Sequence, residues 1–473
     1  MIFSSVLFLL LFLPLFILVH SWIKSTNARN WIILVFSIAF YAWGAPLFVY
    51  VILASTIIDY FIVNQIHRSN KQINKRFFLG FSLTMNLGLL AYFKYANFFV
   101  ENVNSALLQL GFQEIAWTSV ALPIGISFYT FQTLTYSIDV YRGKHAPLKH
   151  VHNYLLYIMS FPQMIAGPIV RYNVIADQIE KRPLISEDFL MGFIRFSIGL
   201  AKKVLIANVM AEQADLIFDG ELNGLSSAAA WIGILAYTFQ IYFDFSGYSD
   251  MAIGLGRMMG FTFPENFDSP YTSKSISEFW RRWHMTLGGF MRDYLYIPLG
   301  GSKVNSAFRL YFNLITVFLL SGLWHGASWN FVVWGAFHGL FLIFDRVGLE
   351  KLLNRIGTWF AVPFTFLVAM IGWVFFRLEE FPDAVLFIQK MFSWQSGPDQ
   401  LLSNFKVVVW AAVLFSFWVL SPMGKRTMTY VFHTPIFKPN SMLAMWLGSI
   451  LLFALSVSLI LSNDFNPFIY FRF

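Results

Sequence analysis

The chain lacks cysteine and is poor in charge: none of its 473 residues is Cys, and Asp, Glu, Lys and Arg together make up 12%. The first absence excludes disulfides, thiolate metal sites, a cysteine nucleophile and palmitoylation of this chain. The second excludes an ordinary soluble surface, on which about a quarter of residues are charged. Two further signals are missing. No alternation of polar and apolar residues marks the strands of a membrane barrel, and no basic n-region or small-residue cleavage site accompanies the first apolar run, Met1 to Val19, so a retained first helix is expected.

What is present is apolar surface: 57% hydrophobic residues and a mean hydropathy of +0.61. Runs near the twenty residues needed to span a bilayer recur along the whole length, which predicts one all-α polytopic membrane domain over residues 1–473 with about ten or eleven spans. The net charge of +8, from 33 Lys and Arg against 25 Asp and Glu, sits in short loops between apolar runs. There it sets topology, and the expected partner is membrane lipid, not nucleic acid. Lys24 and Arg29 after the first run, and Arg68, Lys71, Lys75 and Arg76 after the third, place the N-terminus outside.

Several stretches predict irregular helices. Pro123 and Gly125 predict a kinked or broken helix. His152 to Tyr172, flanked by basic residues on both sides and broken in the middle by the two prolines of Phe161 to Pro168, predicts a re-entrant hairpin. Phe189 to Phe218 reads as one partly interfacial helix whose Arg195, Lys202 and Lys203 snorkel to the surface. Beyond Asp244 to Asp250, the basic, aromatic segment to Lys303 reads as helices lying in the interface. Asp244, Asp250 and Asp293 each need a partner, with Arg281, Arg282 and Arg292 the candidates, and ion pairing outweighs chemistry for any one of them. His145, His150 and His152 lack carboxylate or thiolate companions at ligand spacing, so no metal site is expected. Gly256 and Gly260 have the spacing of close helix packing, and Gly254 to Gly260 lacks the βαβ context of a dinucleotide loop.

One stretch stands apart: Leu319-Leu320-Ser321-Gly322-Leu323-Trp324-His325-Gly326-Ala327-Ser328-Trp329-Asn330. An imidazole in an apolar run is costly and therefore a functional hypothesis. Gly322 and Gly326 permit close backbone approach, while Trp324 and Trp329 can wall a narrow cavity with indole N–H donors. Arg309 and Arg346 bracket two short helices with a turn near 324–328, set deep between the two faces. Imidazole titrates near neutrality, so His325 suits removal of a proton from an attacking hydroxyl. It equally suits a packing role, hydrogen-bonded to a carbonyl. Composition does not separate the two.

The motifs separate them. Tyr95 to Phe98, Leu122 to Tyr129, Phe161 to Arg171, Gln240 to Gly260, Glu265-Asn266-Phe267, Ser277 to Gly301, Leu320 to Leu340 and the terminal Pro467 to Phe473 resemble the membrane-bound O-acyltransferases, in particular the alginate O-acetyltransferase branch. The resemblance implies a ring of tilted helices, with re-entrant and interfacial pieces, around a central tunnel from a cytoplasmic donor site to an outer funnel. It implies catalytic roles for His325 in its Trp-His-Gly context and for His284 at the end of Phe279-Trp280-Arg281-Arg282-Trp283-His284. It also implies substrate contacts from Arg281 and Arg282, placed to meet coenzyme A phosphates, and from Trp324, Trp329 and Asn330. The activity implied is acetyl transfer from cytoplasmic acetyl-CoA across a bacterial inner membrane, completed by an extracytoplasmic acetyltransferase partner on an exported polysaccharide. D-alanyl transfer for teichoic acid modification is the near alternative. A proton-coupled transporter or flippase is the alternative from another class, against which no self-similarity between the two halves of the chain is found.

Overall fold

The computed structural model describes residues 2–397, 401–433, 439–463 and 465–469, and all regular structure among these is helical. The last four residues of the terminal motif, 470–473, lie outside the described residues. Among the described residues, six helices are long and apolar enough to cross a membrane, and seven if a pair bent by 95° counts as one span. The remaining apolar runs become helices that are short or that carry buried charge, and for that reason fewer elements meet the length and polarity limits of a simple span than the ten or eleven runs in the sequence. The chain folds into two compact units, 1–189 with 255–264, and 190–254 with 265–473.

The first unit holds α1 (Phe8–Trp22), α2 (Thr26–Gly44), α3 (Phe48–Arg68), α4 (Gln72–Gln109), α5 (Ile126–Tyr141), α6 (Val151–Met159), the single turn α7 (Phe161–Met164) and α8 (Tyr172–Glu180). Its core is aromatic at one place and polar at another. The Phe161 ring meets Phe12 and Phe16 edge-on at 5.5 and 5.2 Å, and the buried Asp59 carboxylate accepts hydrogen bonds from Ser82, Asn86 and Tyr154. A carboxylate inside apolar surroundings persists only with such partners. Of the kinked or broken helix expected around Pro123 and Gly125, only the part after Gly125 is helical, as α5. Gly125 has φ +79°, and a Cβ there would stand 2.6 Å from the Met164 carbonyl oxygen, so the turn needs glycine. The Phe161 to Pro168 stretch is buried throughout, with one helical turn between two bends.

The second unit is built on α9 (186–218) and α10 (Ser227–Met258). They pack backbone to backbone: a Cβ on Gly199 would sit 2.5 Å from the Gly247 carbonyl oxygen, and one on Gly254 would sit 2.5 Å from that of Gly192. Gly256 and Gly260 serve differently, facing the Phe263 ring and the chain turn at Pro183. The snorkelling expected of α9 does not occur. Arg195 and Lys202 hold Asp250, both at 2.6 Å, and Lys203 holds Asp244 at 2.9 Å. The Asp carboxylates of α10 therefore draw their cations from α9 and not from Arg281 or Arg282, because at this packing distance desolvated charges must meet. Asp293 does pair with Arg292, at 2.8 Å.

Beyond α10 come the short helices α11 (Ile276–Arg282) and α12 (Met285–Phe290), then the hairpin of α13 (Ala307–His325) and α14 (Trp329–Ile356). α15 (Thr358–Arg377) packs on α14, followed by α16 (Phe381–Phe392), the bent pair α17 (Phe405–Leu420) and α18 (Pro422–Phe432), and α19 (Asn440–Ser462). The hairpin turn falls at 326–328, where the sequence places it.

Candidate active site

The turn that carries His325 is set by local sequence. Ser306 caps the start of α13 by accepting the Arg309 N–H at 3.2 Å, and the chain leaves the helix at Gly326, whose backbone is extended. α14 then returns so closely that a Cβ on Gly322 would lie 2.1 Å from the Phe331 carbonyl oxygen. With nineteen residues, α13 is long enough to carry His325 roughly 28 Å from its basic start, about the thickness of the hydrocarbon core.

His325 is buried in an aromatic cage. Its ring lies edge-on to Trp324, Trp334 and Phe376, with centroids at 4.9, 5.1 and 5.0 Å. Trp334 is one turn before His338 on α14, 5.1 Å away, and Trp280 of α11 closes the group at 5.0 Å from His338 and 5.4 Å from Trp334. Among the described residues, the indole N–H groups of Trp280 and Trp334 and both ring nitrogens of His338 are buried without hydrogen-bond partners. Such groups cost free energy when left unpaired, so their concentration at one place marks a site shaped for a polar guest.

Trp324 also meets His284, whose ring lies 6.1 Å from the indole. It has φ +45°, a left-handed conformation costly for a residue with a Cβ. Its frame is polar: Nδ1 lies 3.0 Å from Asn266 Oδ1, and Phe245 stands edge-on at 4.7 Å. Burial pushes its pKa down to about 3, so the ring is neutral across the physiological range. Asn266 also lines a cavity of about 630 Å³, into which Arg195, Lys202, Lys274, Arg282 and Lys425 bring positive charge and Asp250, Glu265, Asp268 and Glu278 negative charge.

The expected site residues thus divide. His325, Trp324 and His284 come together. Arg282 lines the cavity, steadied by Glu278 at 2.7 Å, whereas Arg281, next on the same helix, points away, 63% exposed and 3.8 Å from Glu350. Trp329 is 59% exposed, and Trp334 stands edge-on to the imidazole. Asn330 is buried and donates to the Leu378 carbonyl, tying α14 to the end of α15. Sequence reasoning missed Trp280, Trp334 and Asn266. Trp334 and His338 have helical i, i+4 spacing and were findable; Asn266 lies in a loop with no periodicity to betray it. No group of three or more metal-ligating side chains occurs among the described residues.

Bilayer-length helices, together with two buried imidazoles and a charged cavity among the described residues, define a multi-pass membrane protein. Residues 71–376 match MBOAT, the membrane-bound O-acyltransferase family, and the chain belongs to that family. It is therefore an acyltransferase that takes an acyl donor as substrate. The chain is 38% identical, over the full length of both, to a probable alginate O-acetylase of Azotobacter vinelandii. It is 43% identical to one from Pseudomonas aeruginosa over 84% of this chain and 76% of that one. To the peptidoglycan O-acetyltransferase of Helicobacter pylori it is 36% identical over 83% and 80%. The two alginate O-acetylase relatives fall in the branch that the motifs resemble.

Proposed function

We propose that this protein moves acetyl groups from cytoplasmic acetyl-CoA across a bacterial inner membrane, for O-acetylation of an exported, alginate-like polysaccharide. The observation that carries the reading is that two buried imidazoles meet the same indole, His325 at 4.9 Å and His284 at 6.1 Å from Trp324. Two nitrogen bases one ring apart suit the two ends of an acyl transfer. His325 takes the proton from the attacking hydroxyl, or itself carries the acetyl group; the oxygen or nitrogen bonds the carbonyl carbon, the C–S bond breaks, and the thiolate leaves as coenzyme A thiol after protonation. The buried Trp334 N–H supplies a donor for the carbonyl oxygen as charge develops on it.

The charged cavity is the donor site in this reading, with Arg282, Lys274 and Lys425 meeting the phosphates. Arg282 opens the motif's basic pair to the cavity, and Arg281 stays outside it. The N-terminus is outside by the distribution of Lys and Arg between loops, and an extracytoplasmic acetyltransferase partner receives the acetyl group and chooses the polymer. The names borne by the Azotobacter and Pseudomonas relatives favour alginate-like acceptors, and that of the Helicobacter relative makes peptidoglycan the second acceptor to assay. The test is radiolabelled acetyl-CoA with the purified chain in lipid nanodiscs. Release or transfer of label that vanishes in His325→Ala supports the reading, and a normal rate in that variant overturns it. A D-alanyl donor accepted in place of acetyl-CoA would move the protein to teichoic acid chemistry.

A further inference from the structure

We propose that Asn266 is a positioning residue for the acyl transfer: it locks His284 in the tautomer with a proton on Nδ1 and a bare lone pair on Nε2. The proposal rests on the catalytic reading of His284 given above. The orientation of the amide follows from its neighbours. Asn266 Oδ1 lies 3.4 Å from the Thr286 backbone nitrogen, which can only donate, and accepts the Thr286 hydroxyl at 2.8 Å. Its Nδ2 donates to Ser249 Oγ at 3.0 Å. The atom facing His284 is therefore the acceptor oxygen, and His284 Nδ1 must be the donor across the 3.0 Å between them. In a neutral imidazole the other nitrogen then carries no proton.

That nitrogen, Nε2, is buried and has no hydrogen-bond partner among the described residues. A lone pair left unsatisfied at this depth is costly unless a substrate or a water comes to it. Asn266 also fixes the backbone from which the ring projects. Its carbonyl oxygen accepts the Met285 N–H at 2.9 Å, directly after the left-handed His284. One residue thus holds the strained turn, the ring's tautomer and a stretch of the cavity wall. The side chains against the ring, Phe245, Trp324 and Asn266 itself, carry no charge.

The test combines a tautomer readout with kinetics on the full chain in nanodiscs, with radiolabelled acetyl-CoA as the probe. In histidine-labelled protein, ¹⁵N NMR should show one histidine in the Nδ1–H form whose signal is absent from His284→Ala and lost or mixed in Asn266→Ala. Asn266→Ala should lower kcat about tenfold to hundredfold, the scale on which a histidine's outer partner acts, with KM for acetyl-CoA changed about twofold at most. Asn266→Asp keeps an acceptor for Nδ1–H and for both Thr286 donors, so it should restore kcat at alkaline pH. Its added negative charge should move the acid limb of the pH–rate profile upward by about one to three units. A merely structural asparagine would lower the folded yield and leave the profile of the surviving protein where it was. Nε2–H as the wild-type form, or Asn266→Asp with the wild-type acid limb, overturns the proposal. His284→Ala at full wild-type rate would instead overturn the catalytic reading beneath it, and the NMR arm alone would then decide the tautomer.

Discussion

The two histidine turns are built by opposite means. His325 sits at the tip of a continuous hairpin, caged by aromatic rings and held by glycines that let α13 and α14 touch. His284 projects from a left-handed residue between two helices of seven and six residues and is held by a hydrogen bond to Asn266 of a separate loop, whose amide oxygen also accepts from Thr286. A hydrogen-bonded frame fixes the proton in advance. The difference teaches that two buried imidazoles of one chain are positioned by unlike surroundings, one by rings and close-packed helices, the other by a hydrogen-bonded asparagine.

The comparison is broken or sharpened by substitution, in falling order of effect. His325→Ala should cost about a hundred- to ten-thousand-fold in kcat, the worth of a positioned base, measured as acetyl release from acetyl-CoA. Trp334→Phe keeps the cage and removes its N–H; a loss of about a hundredfold is expected if that donor meets the carbonyl oxygen, and none if the ring only packs. Arg282→Ala should raise KM for acetyl-CoA about tenfold, the loss of one charge-assisted contact, whereas Arg281→Ala should leave it within about twofold, since that side chain faces outward. The smallest effect is on stability against pH. Burial holds the folded pKa of His284 at about 3, below its ordinary value of 6.5. The neutral ring therefore contributes stability that is full above pH 6.5 and is lost as pH falls toward 3. His284→Gln should flatten the acid side of the thermal-stability profile, and an unchanged acid side would mean that the ring is not buried neutral.

Much of the His325 region was legible because its signals are local. An imidazole in an apolar run, glycines four residues apart and basic residues at both ends fix a hairpin and its tip. The His284 region was legible only in part. Its aromatic and basic motif pointed to function, yet the split between Arg281 and Arg282 depends on which face of one short helix meets the cavity. Asn266 needed three-dimensional pairing across eighteen positions of sequence. The cations of α9 were misread for the same reason. Snorkelling is the default for a lysine near an apolar run, and only the glycine-mediated approach of α10 brings Asp244 and Asp250 close enough to hold Arg195, Lys202 and Lys203 inside.

The central claim is that His325 and His284, which meet the same indole, handle one acetyl group. It is tested most directly by single-turnover transfer from radiolabelled acetyl-CoA in His325→Ala, in His284→Ala and in the double variant. Residues that act as one unit are strongly non-additive, so the double variant should be no slower than the worse of the two single variants. Losses that multiply, or a wild-type rate in either single variant, would contradict the account.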